Sequence, residues 1–309
     1  MAIGAREVEP AFVPFCDGYD LVGHRSRFLW PWVQRGLELT ALPSIAPSLS
    51  RPNLTAKLLG VMLDVLLDDV ADNFRYQDKA FLEALLDIPF SSVQPKAPPS
   101  SPDRERYFNF TAEVWAEIQR LAAGFPRYGE FRDIWEFDYL QLLNTMRYAY
   151  LVNHVPEILN PTEHDLYQPH NMHMMISGTL DLMCSPSFDR QELSLVRQAL
   201  WRGQVMGRIG NMVSTWEREI KEKDFTSGLF AAAIARGVVT AAEMPHMPPA
   251  DLTAAIETSG VVQHFLKEWE RLRDEVYEIA LWVRSVDLSA YAAGLEKLIR
   301  NHLGSRGLK

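Results

Sequence analysis

Apolar residues recur at helical spacing along most of the chain, and no series of segments shows the every-second-residue alternation of half-buried strands. Trp30, Trp32 and Leu37 open an amphipathic stretch, with Pro31 suited to a first helical turn. Further helices are predicted over 53–76, 77–86, 107–123 and 131–155. In 107–123 the apolar side is carried by Trp115, Ile118 and Leu121. A helix starting at Thr162 contains Pro169 and then Ser177–Gly178, a combination that predicts a kink, placed here at Ser177–Gly178. Long helices over 188–223 and 261–286, with shorter ones over 251–257 and 288–302, complete the pattern. Residues 1–25 read as an irregular N-terminal strap and 93–105 as a proline-rich loop. The helical pattern resumes unchanged beyond that loop, so the reading is one all-α domain spanning 1–309, a helical bundle.

Composition narrows the function classes. The 309 residues are 47% hydrophobic and carry a formal charge of −9, enough for a large core and unsuited to a phosphate backbone, so no nucleic-acid partner is expected. Cys16 and Cys184 are too few for a zinc site or a disulfide framework. No basic start followed by an apolar run marks a signal peptide, and no apolar run reaches the roughly 18–20 residues of a membrane helix. A cytoplasmic protein without membrane insertion is the expectation, with a homodimer compatible.

One stretch departs from the bundle pattern. Asp64, Asp68, Asp69 and Asp72 lie within apolar flanks, and no Lys or Arg occurs between Lys57 and Arg75. Asp64, Asp68 and Asp72 share a helix face, where like charges repel by about 0.2–0.5 kcal/mol per pair. A hard divalent cation is the obvious neutraliser. Further on, Asn211, Thr215 and Glu219 are again four apart, offering an amide oxygen, a hydroxyl and a carboxylate, with Arg218 beside the glutamate. Facing each other in a bundle, two such helices could hold metal ions and a polyanion between them.

Asp68-Asp69-Val-Ala-Asp72 resembles the aspartate-rich motif of class I terpene synthases, and Asn211 to Glu219 resembles their second motif, with Met212 where the family often has Asp. The resemblance implies a helical bundle around a central apolar pocket. It implies a carbon–oxygen lyase that ionises and cyclises a prenyl diphosphate to a terpene hydrocarbon or alcohol, using Mg²⁺, three ions in the family, with Mn²⁺ as a substitute. Carried over, Asp68, Asp72, Asn211, Thr215 and Glu219 are metal ligands, Asp69 supports them, and Arg218 contacts the diphosphate. Tyr291 stands where an Arg-Tyr pair is common, with Ala290 before it and Arg284 six residues earlier. Family members often carry a diphosphate-sensing arginine upstream of the second motif. Here no Lys or Arg lies between Arg147 and Arg190, leaving His170 and His173 as the only candidate cations. The Ser177–Gly178 kink would present backbone carbonyls to the substrate. A similar looseness occurs in bacterial enzymes acting on bicyclic C20 diphosphates, which tilts the expectation to a C20 substrate over a C15 one.

Each feature also has a plainer reading. The aspartates could form a solvated face and the second motif an ordinary polar one; His170, His173, Trp135 and Trp282 could be core residues, Met172, Met174 and Met175 pocket lining, and Asp64 a residue beside the ligands. A chain-elongating prenyltransferase would want a second aspartate-rich motif where Asn, Thr and Glu stand. A helical ligand-binding scaffold is the non-enzymatic alternative.

Overall fold

The described residues, 7–72, 78–90 and 101–306 of a computed structural model, hold thirteen α-helices and no strand. In chain order they are α1 (Val13–Tyr19), α2 (Leu29–Leu39), α3 (Ser50–Ala71), α4 (Lys79–Leu86), α5 (Pro102–Ala123), α6 (Tyr128–His154) and α7 (Pro161–Tyr167). Then follow α8 (Met174–Met183), α9 (Leu193–Glu222), α10 (Gly228–Ala235), α11 (Pro249–Thr258), α12 (Val261–Ala280) and α13 (Leu288–Gly304). Residues 73–77 and 91–100, which include the ends of two predicted helices and most of the proline-rich loop, lie outside the description.

Helix α3 is buried on nearly all sides, as Leu58, Leu59, Met62, Leu63, Leu66, Leu67 and Val70 require. It packs chiefly on α5, and also on α2, α6 and α8, while α9 packs on α12, α13 and α8. Two ion pairs tie these elements together from inside. Lys57 Nζ on α3 donates to Asp181 Oδ1 on α8 at 2.7 Å, and the Leu42 amide donates to Asp181 Oδ2 at 2.9 Å. Arg197 on α9 grips Asp138 on α6 through two bonds of 2.8 and 3.0 Å, and Thr179 on α8 donates to the same carboxylate at 2.9 Å.

Several expectations are corrected. The strap is not wholly irregular: α1 forms within it, and Phe12, Cys16 and Tyr19 bury against the bundle. Residues 102–105, read as loop, already belong to α5. The long C-terminal helix stops at Ala280 rather than 286, and Trp282 beyond it is 74% exposed, not core.

The break upstream of α9 also moves. Residues 168–172 form a 3₁₀ turn, with Pro169 lacking the donor an α-helix needs. His173 then turns the chain in the left-handed region, φ +59°, before α8 begins at Met174. Ser177 and Gly178 sit inside an unbroken helix. Gly178 serves packing instead: a Cβ there would lie 2.5 Å from Leu200 Cδ1, so the missing side chain lets α8 approach α9.

Candidate active-site cavity

A cavity of about 720 Å³ lies between α2, α3, α8, α9, α13 and the turn before α8. Its polar lining comes mainly from the C-terminal halves of α3 and α9, including Asp68, Asp72, Asn211, Thr215 and Glu219, and further polar groups come from the strap, α8 and α13. Earlier turns of the same helices contribute Val61, Val65 and Leu200, and α2 adds Leu29, Trp32, Val33 and Leu37. The cavity therefore has a charged end and an apolar body.

A helix turns about 100° per residue, so adjacent carboxylates cannot share a face. Asp64, Asp68 and Asp72 line the cavity, whereas Asp69 does not. Asp69, 2% exposed, is held on the far side: Arg25 Nε donates to its Oδ1 at 2.7 Å and the Tyr19 hydroxyl to its Oδ2 at 2.9 Å. Arg25 Nη2 also reaches Asp68 Oδ2 at 3.2 Å, and Asn171 Nδ2 donates to Asp68 Oδ1 at 2.9 Å. The acidic stretch thus has a counter-charge, supplied by the strap from 43 residues away in sequence, where no local pattern could disclose it.

On α9 the hydroxyl of Thr215 lies 2.6 Å from Glu219 Oε1 and 3.1 Å from Asn211 Oδ1, so the three donors of the second motif are gathered on one face. Glu219 Oε2 is buried without a hydrogen-bond partner. Burial first, and the nearby charge of Asp224 second, push its pKa up to about 7, with Arg208 pulling the other way. Asp64, Asp72 and Asp224 are likewise raised, each chiefly by burial.

Arg208 is the common cation of this cluster, since its charge opposes the upward shift at Asp64, Asp72, Asp224 and Glu219. It is buried in the cavity wall, its Nη2 3.3 Å from the Thr226 carbonyl and its Nε without a partner. A helical-wheel reading could have found it, because it stands three residues before Asn211 on the same face. Arg218 also lines the cavity while pairing with Glu222 at 3.1 Å, and Lys221 lines it too.

The histidines are not cations. Burial lowers His173 to a pKa of about 3 and His170 to about 4, so both are neutral near pH 7. His173 lines the cavity between the Tyr139 hydroxyl, 3.4 Å from Nε2, and Ser177 Oγ, 3.0 Å from Nδ1. His170 lies behind the wall against Trp201 and Gln204. Ser177, Gly178 and Tyr291 line the cavity, the buried Tyr291 hydroxyl having no partner and pressing on Gly203. Arg284 is exposed, its backbone amide bonded to Glu192, and is not part of the lining. Trp135 stacks on Trp115 in the core, Met172 and Met174 line the cavity, and Met175 is buried with its amide on Gln204.

The donors suit Mg²⁺ in kind: all are oxygens, and Glu219 Oε2 is a buried oxygen lacking a partner. Among the described residues no three Asp, Glu, His or Cys side chains form a ready-made metal centre. That also fits Mg²⁺, which is usually held by one or two carboxylates completed by substrate phosphates and water rather than by an all-protein cage.

Helices alone, two oxygen-bearing faces and an apolar cavity between them define a class I terpene synthase-like fold. The solved structures it is similar to include linalool/nerolidol synthase from Streptomyces clavuligerus in complex with 2-fluorogeranyl diphosphate, at TM-score 0.56 and 17% identity over 96% of this chain and 98% of that one. A second structure of the same synthase aligns at TM-score 0.55 and 16% identity over 98% of each chain. At such identity the likeness is one of fold. No protein-family model and no curated protein matches the sequence.

Proposed function

We propose that the protein is a Mg²⁺-dependent carbon–oxygen lyase that ionises a prenyl diphosphate and cyclises the resulting cation. The observation that carries this reading is the meeting of the Asp68/Asp72 face with the Asn211/Thr215/Glu219 face at the charged end of one cavity whose remaining lining is mostly apolar. Asp68, Asp72, Asn211, Thr215 and Glu219 would hold the ions. Bound there, Mg²⁺ supplies Lewis-acid stabilisation of the departing diphosphate. Arg208, Arg218 and Lys221 place positive charge at the same end, where a diphosphate would sit. The apolar body holds the prenyl chain and excludes water from the cation. Among the described residues, Trp32, Phe28 and Tyr291 are aromatic side chains that line it, and aromatic faces stabilise positive charge by about 0.5–2 kcal/mol each.

A C20 diphosphate is the substrate we favour. Two things support it: a volume in the upper part of the roughly 300–1,000 Å³ range of ligand pockets, and the stretch between Arg147 and Arg190 without Lys or Arg. The test is incubation with C10, C15, C20, C25 and bicyclic C20 diphosphates, with products read by gas chromatography. Wild type should convert at least one, and Mg²⁺ removal or Asp68→Ala should abolish conversion. Product formation that survives both changes rules the reading out, and silence with every substrate returns the molecule to the scaffold alternative.

A further inference from the structure

Asp64 differs from the other cavity carboxylates. It lies one turn, about 6 Å along the axis, inward of Asp68, and between Val61 and Val65 in the lining. It is 5% exposed, and its Oδ1 has no hydrogen-bond partner. Among the described residues no lysine or arginine forms an ion pair with it. Its side chain lies near Tyr139, which belongs to a polar chain running to His173 and Ser177. Every other member of that chain is a neutral group near pH 7. A valine or leucine would continue the apolar wall at this position, yet the chain keeps a carboxyl there. Burial first, and the charge of Asp68 second, raise its pKa against the pull of Arg208, which makes its ionised form a stronger base than an ordinary aspartate.

Resting on the function proposed above, we infer that Asp64 is the catalytic base that ends the reaction by taking a proton from the carbon next to the cationic centre. That C–H bond breaks, its electron pair becomes the second bond of an alkene, and the proton passes to the Asp64 carboxylate. Cation and carboxylate become a neutral alkene and a carboxylic acid. The acid returns its proton to water or released diphosphate before the next turnover. The wall position suits this role, because Asp64 faces the hydrocarbon body while Asp68 and Asp72 face the charged end.

The experiment compares wild type with Asp64→Asn, Asp64→Ala and Asp64→Glu, using whichever prenyl diphosphate wild type converts. Product proportions are read by gas chromatography–mass spectrometry. Binding of Mg²⁺ with inorganic diphosphate is read by calorimetry, and folding by thermal melting. Formation of the wild-type alkene should fall by about 10²-fold or more in Asp64→Asn and Asp64→Ala, with earlier alkenes or water-quenched alcohols in its place. Asp64→Glu should recover part of it, and Mg²⁺–diphosphate affinity should stay at the wild-type value in Asp64→Asn. Unchanged product proportions in folded Asp64→Asn and Asp64→Ala overturn the proposal alone, as does a wild-type product that is solely an alcohol. Lost Mg²⁺–diphosphate affinity in Asp64→Asn overturns it in favour of a metal-ligand role. If wild type converts no prenyl diphosphate, the function and this proposal fall together.

Discussion

Helices α2 and α13 form one side of the cavity, and two glycines set how closely they approach. A Cβ on Gly294 would lie 1.8 Å from the backbone oxygen of Leu39 and 2.9 Å from its carbonyl carbon. That is roughly 1.5 Å short of ordinary contact, and a backbone carbonyl at a helix end cannot swing aside as a side chain can. A Cβ on Gly36, in the same helix pair, would meet only Leu298 Cδ1 at 3.4 Å. Either Gly→Ala change gains about 1 kcal/mol of helix propensity. For Gly294→Ala the helices must part, at an overpacking cost of about 1–3 kcal/mol or more. With the backbone as obstacle the upper end applies, so the net loss is about 2 kcal/mol. Gly36→Ala should be neutral or stabilising by up to about 1 kcal/mol. Chemical denaturation of both variants measures the difference. Because Tyr291 and Leu298 on α13 and Trp32 and Val33 on α2 all line the cavity, parting the two helices in Gly294→Ala should also alter product proportions. A Gly294→Ala protein as stable as Gly36→Ala would refute the close approach of the two helices.

Lys57→Met should cost about 3–5 kcal/mol in denaturant unfolding, because it leaves the buried Asp181 carboxylate without its cation, and Lys57→Met with Asp181→Asn should recover part of the loss; a single variant as stable as wild type speaks against the pair. Stability of the metal-free protein should fall as pH rises from 6.5 to 8. Glu219, with its folded pKa up at about 7, binds its proton more tightly folded than unfolded, so its contribution is fully present below pH 4.5 and lost as pH climbs through 7. His173, lowered to about 3, has the opposite slope, its contribution present above pH 6.5 and lost as pH falls toward 3, so it does not interfere in the higher window. Glu219→Gln should flatten the fall across this window by roughly 1 kcal/mol, the part of the proton-linked contribution still present at pH 6.5, measured by unfolding in chelator, and an identical profile in the variant would count against a buried, protonated Glu219.

The helices were legible because apolar residues recur at helical spacing, a pattern that needs no tertiary knowledge to read. The two oxygen-bearing faces were legible for the same reason, since four-residue steps stay on one face whatever the partner. The break before α8 was misplaced because two residues there act through space. Gly178 is small for Leu200, which lies on another helix, and His173 adopts a left-handed turn that no rule for histidine demands. There is room for its ring because Gly60 on α3, where a Cβ would lie 2.4 Å from the imidazole, has none. The absent counter-charge was a misreading of the same kind: Arg25 is remote in sequence and Arg208 sits on the facing helix, so a local scan of 57–75 finds neither. Trp282 follows a helix that ends earlier than its pattern suggests, which leaves it outside the core.

Asp69 shows how a motif residue can matter without facing the cavity. Arg25 divides its donors, with Nε at 2.7 Å from Asp69 and Nη2 at 3.2 Å from Asp68. The shorter bond, on a carboxylate that also accepts from the Tyr19 hydroxyl, holds the guanidinium chiefly on Asp69, although Arg25 itself lines the cavity. If Asp69 becomes Asn, the charge that holds Arg25 back is gone, and both donors can turn to Asp68. Asp68 would then have Oδ2 under two guanidinium N–H donors and Oδ1 under Asn171, leaving little for an ion. Asp69→Asn should therefore weaken Mg²⁺–diphosphate binding by about tenfold, the equivalent of one strengthened charge-assisted hydrogen bond of roughly 1.4 kcal/mol. Asp69→Asn with Arg25→Gln should recover affinity, because the competing cation is then absent. Calorimetric titration with Mg²⁺ and inorganic diphosphate reads both variants. Equal weakening in the single and double variants would mean that Asp69 acts by supporting α3 rather than by restraining Arg25.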